Sequence, residues 1–265
     1  MTESLLTIWS LFAILIGLVI GSFLNCLIWR LYKDESLGGR SYCPKCRQQI
    51  SWYDNIPLLS FIFLKGRCRH CQQKISWQYP LVELITAILF YLSFSYLTND
   101  VQLLASNYFS FTLLKAWLLI VTLIIVFVYD ARWQLVPMKL IWPMTVILFI
   151  LGALSGEAIV SLLIAGLGLA AFFAVQYFVT NKKGLGEGDI WLGLLLGVAF
   201  PSLSQIFLLI LLTYFSGALL GVILMLIKSK NGKMKIALGP FLAFGAIITL
   251  IWGDQIINWY LRLLF

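Results

Sequence analysis

Two aspartates, Asp130 and Asp189, are the residues that point most directly to chemistry, because each stands at the edge of a long apolar run. The chain is 61% hydrophobic and only 11% charged. A carboxylate at the edge of a membrane span is costly, and such residues mark proton chemistry or ion pathways. If the fold brings the two together, one carboxyl keeps its proton while the other ionises, as in aspartic proteases. The ionised carboxylate then takes a proton from water, and the protonated one polarises the scissile carbonyl.

Glycines precede Asp189 at positions Gly184, Gly186 and Gly188. We expect them to free the backbone for positive φ angles and for a close approach to a substrate strand. A phosphate-binding loop is a weak alternative, because these glycines follow a membrane helix rather than a strand. A lone aspartate at this place would be a polar helix cap, and Asp189 is the predicted N-cap of the next helix. Glu187 is expected to be solvated.

Four cysteines form two Cys-x-x-Cys pairs, Cys43 with Cys46 and Cys68 with Cys71, and 21 residues separate the pairs. Two such pairs supply the four thiolates of a tetrahedral zinc site, although this separation lies just beyond the usual range. The basic residues predict a cytoplasmic location for this segment, and such a location disfavours disulfides. A segment of about 50 residues with little apolar periodicity also needs a metal to fold. Free thiols or a redox pair are the alternatives. Because four cysteines fill the coordination sphere, we interpret the zinc as structural.

The only histidine, His70, lies between the last two cysteines. We expect it to be exposed or to contact a metal ligand rather than to bind the metal itself. With one histidine and no Gly-x-Ser-x-Gly segment, most histidine-based catalytic triads are excluded. The fifth cysteine, Cys26, lies in the first apolar run and is expected to be a small core residue.

Apolar runs of about 20 residues predict a multi-pass membrane protein. The seven clear spans are 5–29, 81–97, 112–129, 139–155, 158–180, 203–227 and 237–253. A short eighth span, 190–200, is predicted because residues 190–227 would otherwise form ~57 Å of helix, about twice the ~30 Å hydrocarbon core. The predicted fold is an all-α polytopic membrane protein of about eight transmembrane helices with a small cytoplasmic zinc-knuckle insert.

The basic residues predict the orientation. When the segment after the first span is placed in the cytoplasm and the others alternate, 17 of the 19 Lys and Arg residues fall on the cytoplasmic side. Only Lys115 and Arg262 fall on the other side. The positive-inside rule then places both termini outside the cytoplasm, and Asp130 and Asp189 at cytoplasmic ends of their spans. Topology and attraction to anionic membrane lipid account for the net charge of +8 without a nucleic-acid partner.

The chain divides into three predicted parts. Residues 1–30 form a first transmembrane anchor, which is retained because no Lys or Arg precedes its apolar run, whereas Arg30 and Lys33 follow it. Residues 31–80 form the cytoplasmic four-cysteine insert. Residues 81–265 form the transmembrane core that contains both aspartates.

Several distinctive segments follow one another along nearly the whole chain. They are Gly21-Ser22-Phe23-Leu24-Asn25 with Arg30-Leu31, the first cysteine pair, Asp54-Asn55-Ile56-Pro57-Leu58-Leu59-Ser60, Gly66-Arg67-Cys68-Arg69-His70-Cys71, Tyr79-Pro80-Leu81-Val82-Glu83-Leu84, Asp130 seven residues before Pro137, and Gly186-Glu187-Gly188-Asp189. The last segment resembles the motif of the Gly-x-Gly-Asp membrane aspartyl proteases. The whole series resembles the bacterial type IV prepilin peptidases, also called leader peptidase/N-methyltransferases.

This resemblance implies two activities on one class of substrate. The peptidase removes the short basic leader of type IV prepilins, and of the pseudopilins of type II secretion, at the cytoplasmic face after a glycine. The second activity methylates the newly exposed N-terminal residue with S-adenosylmethionine as the methyl donor. The implied location is the bacterial inner membrane.

The resemblance also implies roles for individual residues. Asp130 and Asp189 are the catalytic pair, and Gly186 and Gly188 belong to the motif that supports them. The region associated with methylation and its metal contains the four paired cysteines, Cys43, Cys46, Cys68 and Cys71. Methyl transfer rests on the resemblance alone, because the sequence has no strand–Gly-x-Gly–helix module for the methyl donor.

One position departs from the family pattern, since Met138 stands where members often have an aspartate after the proline. Because Asp130 and Asp189 are both present, we expect cleavage to be retained. Glu83, at the start of the second span, is a candidate for contacting a substrate amine or a backbone amide, and equally for anchoring at the interface. Asn25 is expected to cap or to hydrogen-bond within the helix bundle.

Two other functions fit parts of the pattern. A zinc-dependent membrane transporter would use the aspartates as ion ligands, but its site is expected near the bilayer centre rather than at one face. A non-catalytic pilus assembly factor would use the insert as a docking module.

Overall fold

A computed structural model describes residues 3–182, 184–227 and 237–264 of the chain. The described part is helical and contains no strand beyond two isolated bridges. The helices are α1 (Glu3–Lys33), α2 (Leu59–Phe63), α3 (Gln78–Asn99), α4 (Val101–Ala105), α5 (Phe109–Trp133), α6 (Met138–Leu154), α7 (Ile159–Val179), α8 (Glu187–Ala199), α9 (Leu203–Ile227) and α10 (Gly239–Leu264), with a 3-10 turn at Trp52–Asn55. Lys183 and the four lysines at 228–235 that entered the charge count lie outside the described residues.

The predicted all-helical membrane architecture is confirmed. Within the described ranges, six helices are long and apolar enough to cross a membrane: α1, α3, α5, α7, α9 and α10. The other two predicted spans are shorter helices, since α6 has 17 residues and α8 has 13. The predicted break at Pro201 separates α8 from α9.

The last helix differs from its predicted span. It continues to Leu264, whereas the apolar run ends at residue 253. The extension carries Asp254, Gln255 and Asn258, so its hydropathy falls although its backbone hydrogen bonding continues. Hydropathy marks the part of a helix that suits lipid, and it does not mark where helical hydrogen bonding stops.

One compact unit, Met1–Asn99, contains α1, the cysteine insert and α3. Helix α1 packs on α3 through small residues one turn apart. A Cβ atom on Gly17 would lie 2.6 Å from the Cα of Ala87, and one on Gly21 would lie 2.7 Å from the Cα of Glu83. In lipid, such small residues allow helix backbones to approach closely, so that van der Waals packing holds the pair together.

Asn25 lies one turn beyond Gly21 on α1 and connects the two helices. Its buried amide donates to the carbonyl oxygens of Gly21 and Tyr79, and its side-chain oxygen accepts from Gln78. Since a polar amide facing hydrocarbon is costly unless it is paired, these bonds fix the start of α3 against α1.

A second compact unit, Asp100–Phe265, contains α4 to α10. Its core is built from α5, α6, α7, α8, α9 and α10, and the buried side chains at its centre include Leu119, Phe173, Leu195, Leu209 and Ala243. Helix α8 is short but deeply buried, whereas α9 leaves most of its apolar side chains on the surface of the unit. The core therefore surrounds the helix that begins beside Asp189.

The contact between α7 and α8 predicts a sharp difference between two glycine substitutions. A Cβ atom on Gly197 would lie 2.2 Å from the carbonyl oxygen of Ala165, whereas one on Gly168 would meet nothing within 4 Å. We expect Gly197→Ala to destabilise the protein by about 1–3 kcal/mol through overpacking. Gly168→Ala is the matched control and should be neutral or stabilising by up to about 1 kcal/mol. Thermal unfolding of both purified variants in one detergent measures the difference, and equal unfolding temperatures would contradict this packing.

Candidate functional site

Asp130 lies in the last turns of α5, and its side chain is buried inside the second unit. Its Oδ2 atom accepts a hydrogen bond from the backbone N–H of Gly239 at 2.8 Å. Gly239 is the first residue of α10, where backbone N–H groups have no acceptor within the helix. The carboxylate of Asp130 therefore lies on the N-terminus of α10, at the positive end of that helix dipole.

Gly239 is required by the closeness of this contact. A Cβ atom at position 239 would lie 2.5 Å from the Asp130 Oδ2 atom and 3.1 Å from its Cγ atom. Any larger residue must displace the carboxyl group. Sequence reasoning missed Gly239, although Gly239-Pro240 at the start of a span is a signal, because proline is favoured at the beginning of a helix.

Asp189 is also buried, and it lies in the first turn of α8. The prediction that it is the N-cap is wrong, since the N-cap is Gly186 and Asp189 is the third helical residue. Its Oδ2 atom reaches back and accepts the N–H of Gly186 at 2.9 Å. The reason is that α8 begins at Glu187, three residues earlier than predicted, so the aspartate caps the helix from inside its first turn.

The glycines before Asp189 do not act through positive φ angles. Gly186 has φ −84°, and neither Gly184 nor Gly188 has a positive φ, so that prediction is wrong. Gly188 instead provides space, because a Cβ atom there would lie 2.5 Å from a methyl group of Val136. Val136 belongs to the connection between α5 and α6, just after Asp130. Glu187 is exposed, as expected.

The second unit brings the two aspartates to one place. Gly188, next to Asp189, packs on Val136, which lies six residues after Asp130. Each carboxylate has one backbone N–H donor of its own. Asp130 is 6% exposed and Asp189 is 7% exposed. Two buried carboxyl groups that approach each other would favour a state that holds one proton between them, and such a pair can act as a base and an acid.

Glu83, in the first unit, contacts a backbone amide of the same chain. Its Oε2 atom accepts the N–H of Leu58 at 2.8 Å, and its side chain is buried. Leu58 has φ 60°, a left-handed conformation that is strained for a residue other than glycine. The carboxylate thus holds the segment that contains Leu58 against the start of α3.

The four cysteines converge as predicted. The sulfur atoms of Cys43, Cys46, Cys68 and Cys71 all lie within 4.8 Å of one another, and those of Cys43 and Cys71 are 3.9 Å apart. A tetrahedral zinc ion with Zn–S bonds of about 2.3 Å separates its sulfur ligands by ~3.8 Å. The tetrad therefore fits one tetrahedral metal ion. His70 is exposed and is not part of this group.

Each cysteine pair lies in a short hairpin, residues 42–49 and 67–74, and the second hairpin repeats the first 25 residues later. In the first, the N–H of Cys43 donates to Gln48 at 2.9 Å, and in the second the N–H of Cys68 donates to Gln73 at 2.9 Å. Isolated bridges follow the same offset, joining Tyr42 to Gln49 and Arg67 to Lys74. The backbone N–H groups of His70 and Cys71 also point to the Cys68 sulfur, which stabilises a thiolate.

Two arginines hold the insert in place, Arg69 by a contact within it and Arg30 by contacts from the end of α1. Arg69 makes two hydrogen bonds to Asp54, at 2.6 and 2.8 Å, and these bonds hold the pKa of the Asp54 carboxyl below its usual value. Arg30 is buried at the end of α1, and its guanidinium donates to four carbonyl oxygens in residues 37–40. These contacts connect the second cysteine pair to the 3-10 turn and the start of the insert to α1.

Comparison with known proteins gives two family matches. Residues 15–97 match the model described as the bacterial peptidase A24 N-terminal domain, and residues 117–226 match the type IV leader peptidase family. The first match falls inside the first compact unit, and the second falls inside the second unit. No solved structure matches the chain.

Curated relatives match over most of their length. A prepilin leader peptidase/N-methyltransferase of Aeromonas salmonicida (strain A449) is 34% identical, covering 96% of this chain and 94% of the relative. The protein of that name from Pseudomonas aeruginosa is 34% identical, over 94% of this chain and 92% of the relative. A third, from Klebsiella pneumoniae, is 38% identical over 76% of this chain and 90% of the relative.

The cysteine geometry predicts one bound metal ion per chain. Replacing Cys46 by Ser removes one of four thiolates and should reduce the metal content of the purified protein by at least half. The reason is that each hairpin supplies two of the four ligands, so that a tetrahedral ion needs both hairpins complete. Cys26→Ser is the matched control, since Cys26 lies in α1 outside the tetrad. Elemental analysis of both variants measures the result. Equal metal content in the Cys46→Ser variant and the wild type would contradict the site.

Proposed function

Because the chain belongs to the type IV leader peptidase family, we propose that it is a membrane aspartyl endopeptidase that processes type IV prepilins and pseudopilins. It cleaves the leader after a glycine at the cytoplasmic face, and it then methylates the new N-terminal residue. The observation that carries the peptidase assignment is the pair of buried carboxylates, Asp130 and Asp189, which lie in one unit and have separate amide donors.

The two aspartates supply the proton transfers of hydrolysis. The ionised carboxylate accepts a proton from a water molecule as the water oxygen attacks the scissile carbonyl carbon. The protonated carboxyl group donates to the carbonyl oxygen, where negative charge develops. The tetrahedral intermediate then collapses, its C–N bond breaks, and the leaving amine takes up a proton from the aspartate pair. Since water is the nucleophile, no covalent bond to the enzyme forms.

Burial and hydrogen bonding keep this pair ready for the reaction. The amide of Gly239 favours a fixed position of the Asp130 carboxyl, and the amide of Gly186 does the same for Asp189. Groups that are positioned before the substrate arrives do not have to be ordered in the transition state. Gly186 and Gly188 therefore support the reaction through a backbone donor and through close packing, respectively.

The charge distribution supports the proposed orientation. Arg132 and Lys139 flank the connection between α5 and α6, and Lys182 follows α7, at the end of the unit where Asp130 and Asp189 lie. The positive-inside rule assigns that end to the cytoplasm of a bacterial inner membrane. A prepilin leader on the cytoplasmic side would reach the carboxylates there.

Methyl transfer is proposed for the first unit, which contains the cysteine tetrad. We take the metal to be structural zinc, because four thiolates fill a tetrahedral site and leave no open position. The zinc would join the two hairpins, and S-adenosylmethionine would supply the methyl group when bound. The names of the relatives support this activity, since each combines leader peptidase with N-methyltransferase.

Mass spectrometry of a purified prepilin tests both activities in one reaction. With wild-type protein, we expect loss of the leader, and addition of one methyl group only when S-adenosylmethionine is present. Asp130→Asn and Asp189→Asn should each lower the cleavage rate by about 10²–10⁴-fold, because each removes one member of the acid–base pair. Precleaved pilin should still be methylated by both variants, since α1, α3 and the insert are unchanged.

Asp254→Asn is the matched control, because Asp254 is an exposed carboxylate late in α10 that accepts from Gln205. It should cleave at the wild-type rate. Normal processing by either active-site variant would refute the peptidase mechanism. An unchanged precursor with wild-type protein would favour a pilus assembly factor, and metal or proton flux into sealed vesicles would favour a transporter.

The contact at Gly239 makes a separate prediction. Gly239→Ala keeps the backbone N–H but forces the Asp130 carboxyl aside, so kcat for leader cleavage should fall by about 10²-fold. Gly253→Ala, on the same helix, is the control, because its nearest contact would be the Thr249 methyl group of its own helix at 3.3 Å. Equal kcat values for the two variants would show that the position of Asp130 does not depend on Gly239.

A further inference from the structure

The polar pair formed by Gln176 and Tyr214 is not explained by the fold or by the acid–base chemistry. The hydroxyl of Tyr214, on α9, donates to the side-chain oxygen of Gln176, on α7, at 2.6 Å. Both residues lie inside helices that are long and apolar enough to cross a membrane. Tyr214 is 38% exposed, and the neighbouring Phe172, whose ring centroid is 6.5 Å from that of Tyr214, is 39% exposed. The pair is thus on the surface of the unit.

Helix register places Gln176 beside the first turn of α8. Helices α7 and α8 run antiparallel, because a Cβ atom on Gly197 would meet Ala165 while one on Gly193 would meet Phe173. Gly193 and Phe173 lie at the same level of the two helices. From that level Asp189 lies four residues back along α8 and Gln176 three residues forward along α7, and because the helices are antiparallel both steps lead toward the same end. Helical side chains also lean toward the N-terminus of their own helix, which brings the Gln176 amide toward the depth of Asp189.

Electrostatics agree with this placement. The charge of Asp189 acts on the hydroxyl of Tyr214, just as it acts on Asp130. The Tyr214 hydroxyl and the Asp130 carboxyl therefore both lie in the neighbourhood of Asp189.

The Gln176 amide nitrogen has unused donors. Its oxygen accepts from Tyr214, and among the described residues its nitrogen has no hydrogen-bond acceptor. An amide N–H group that faces hydrocarbon without an acceptor is costly, so such a group at membrane depth is expected to serve a polar partner that arrives there. The hydroxyl of Tyr214 holds the amide group in place, and because a hydroxyl can donate or accept, either orientation of the amide leaves at least one N–H group for another acceptor.

The substrate proposed above would supply the missing acceptor. A peptide bond can be hydrolysed only in an extended segment, and the carbonyl groups of a segment that leaves its helix lose their intrahelical donors. At membrane depth, every such carbonyl needs a donor from the protein. A carbonyl oxygen of the extended substrate backbone matches the N–H donors of Gln176 in chemistry and in depth.

We propose that Gln176 and Tyr214 form a substrate subsite in which the Gln176 amide donates to a backbone carbonyl oxygen of the prepilin next to the scissile bond. Tyr214 is a positioning residue that orients this amide, and Phe172 provides an apolar surface beside it. This inference rests on the proposed peptidase function. It assigns to α7 and α9 a role in holding the extended segment against Asp189.

Three variants test the subsite with full-length protein and purified prepilin. Gln176→Leu removes the donors and should lower kcat/KM for cleavage by about 5- to 10-fold, the usual effect of one lost hydrogen bond. Tyr214→Phe keeps the ring and removes only the hydroxyl, so it should have a smaller effect. If Tyr214 acts through Gln176, the double variant should equal Gln176→Leu alone, whereas independent effects would multiply.

Gln205→Leu is the matched control, because Gln205 also forms a polar contact between helices, to Asp254 at 3.2 Å, in the first turn of α9 and nine residues before Tyr214. It should change kcat/KM by less than twofold. A Gln176→Leu variant with wild-type kcat/KM overturns the proposal. The proposal is also overturned if the Gln176→Leu variant loses thermal stability and methylation of precleaved pilin together with cleavage. A general loss of this kind would mean that Gln176 serves helix–helix packing alone.

A binding experiment separates this proposal from the peptidase mechanism. In the Asp130→Asn background, which should not cleave, Gln176→Leu should weaken binding of the intact prepilin by about 5- to 10-fold, and Gln205→Leu should not. Wild-type protein that fails to cleave refutes the proposed function whatever these variants do. Wild-type cleavage with unchanged binding and turnover in the Gln176→Leu variant refutes the subsite alone.

Discussion

The need to pair two buried carboxylates with backbone donors constrains the second unit more than any other interaction. A carboxylate removed from water requires hydrogen bonds, and within a helical bundle the free N–H groups are found only at helix N-termini. Asp130 uses the first amide of α10, and Asp189 uses the amide that precedes α8. The starting points of these two helices are therefore tied to the positions of the two carboxylates, and the neighbouring helices pack around that arrangement.

Close packing at glycine makes this arrangement compact. The contact of Gly239 with Asp130 leaves no room for a side chain, and that of Gly188 with Val136 brings the α5–α6 connection against the first turn of α8. The first unit follows the same rule, because Glu83 accepts a backbone amide from Leu58 while Gly21 lets α1 approach α3 at that level. In both units, a carboxylate at the edge of a helix holds an irregular segment in place.

Sequence patterns predicted the elements better than their contacts. The apolar runs predicted the membrane helices, and the cysteine spacing predicted a tetrad, because both depend on local periodicity and residue type. The expected N-cap role of Asp189 was wrong because α8 begins three residues before its apolar run. The expected positive φ angles were wrong because Gly186 has φ −84°, and because Gly188 supplies space for Val136 rather than backbone freedom. Gly239 was missed because its contact with Asp130 spans 109 residues.

The repeated hairpins of the insert have a consequence for how the first unit responds to its surroundings. Each hairpin offers two thiolates, so neither alone can satisfy a tetrahedral ion, and binding requires both to be in place at once. A ligand that binds only the folded state stabilises it in proportion to the logarithm of its free concentration. A metal bound here would couple the folding of the insert to metal supply, and a cell depleted of that metal would hold protein whose two units differ in stability.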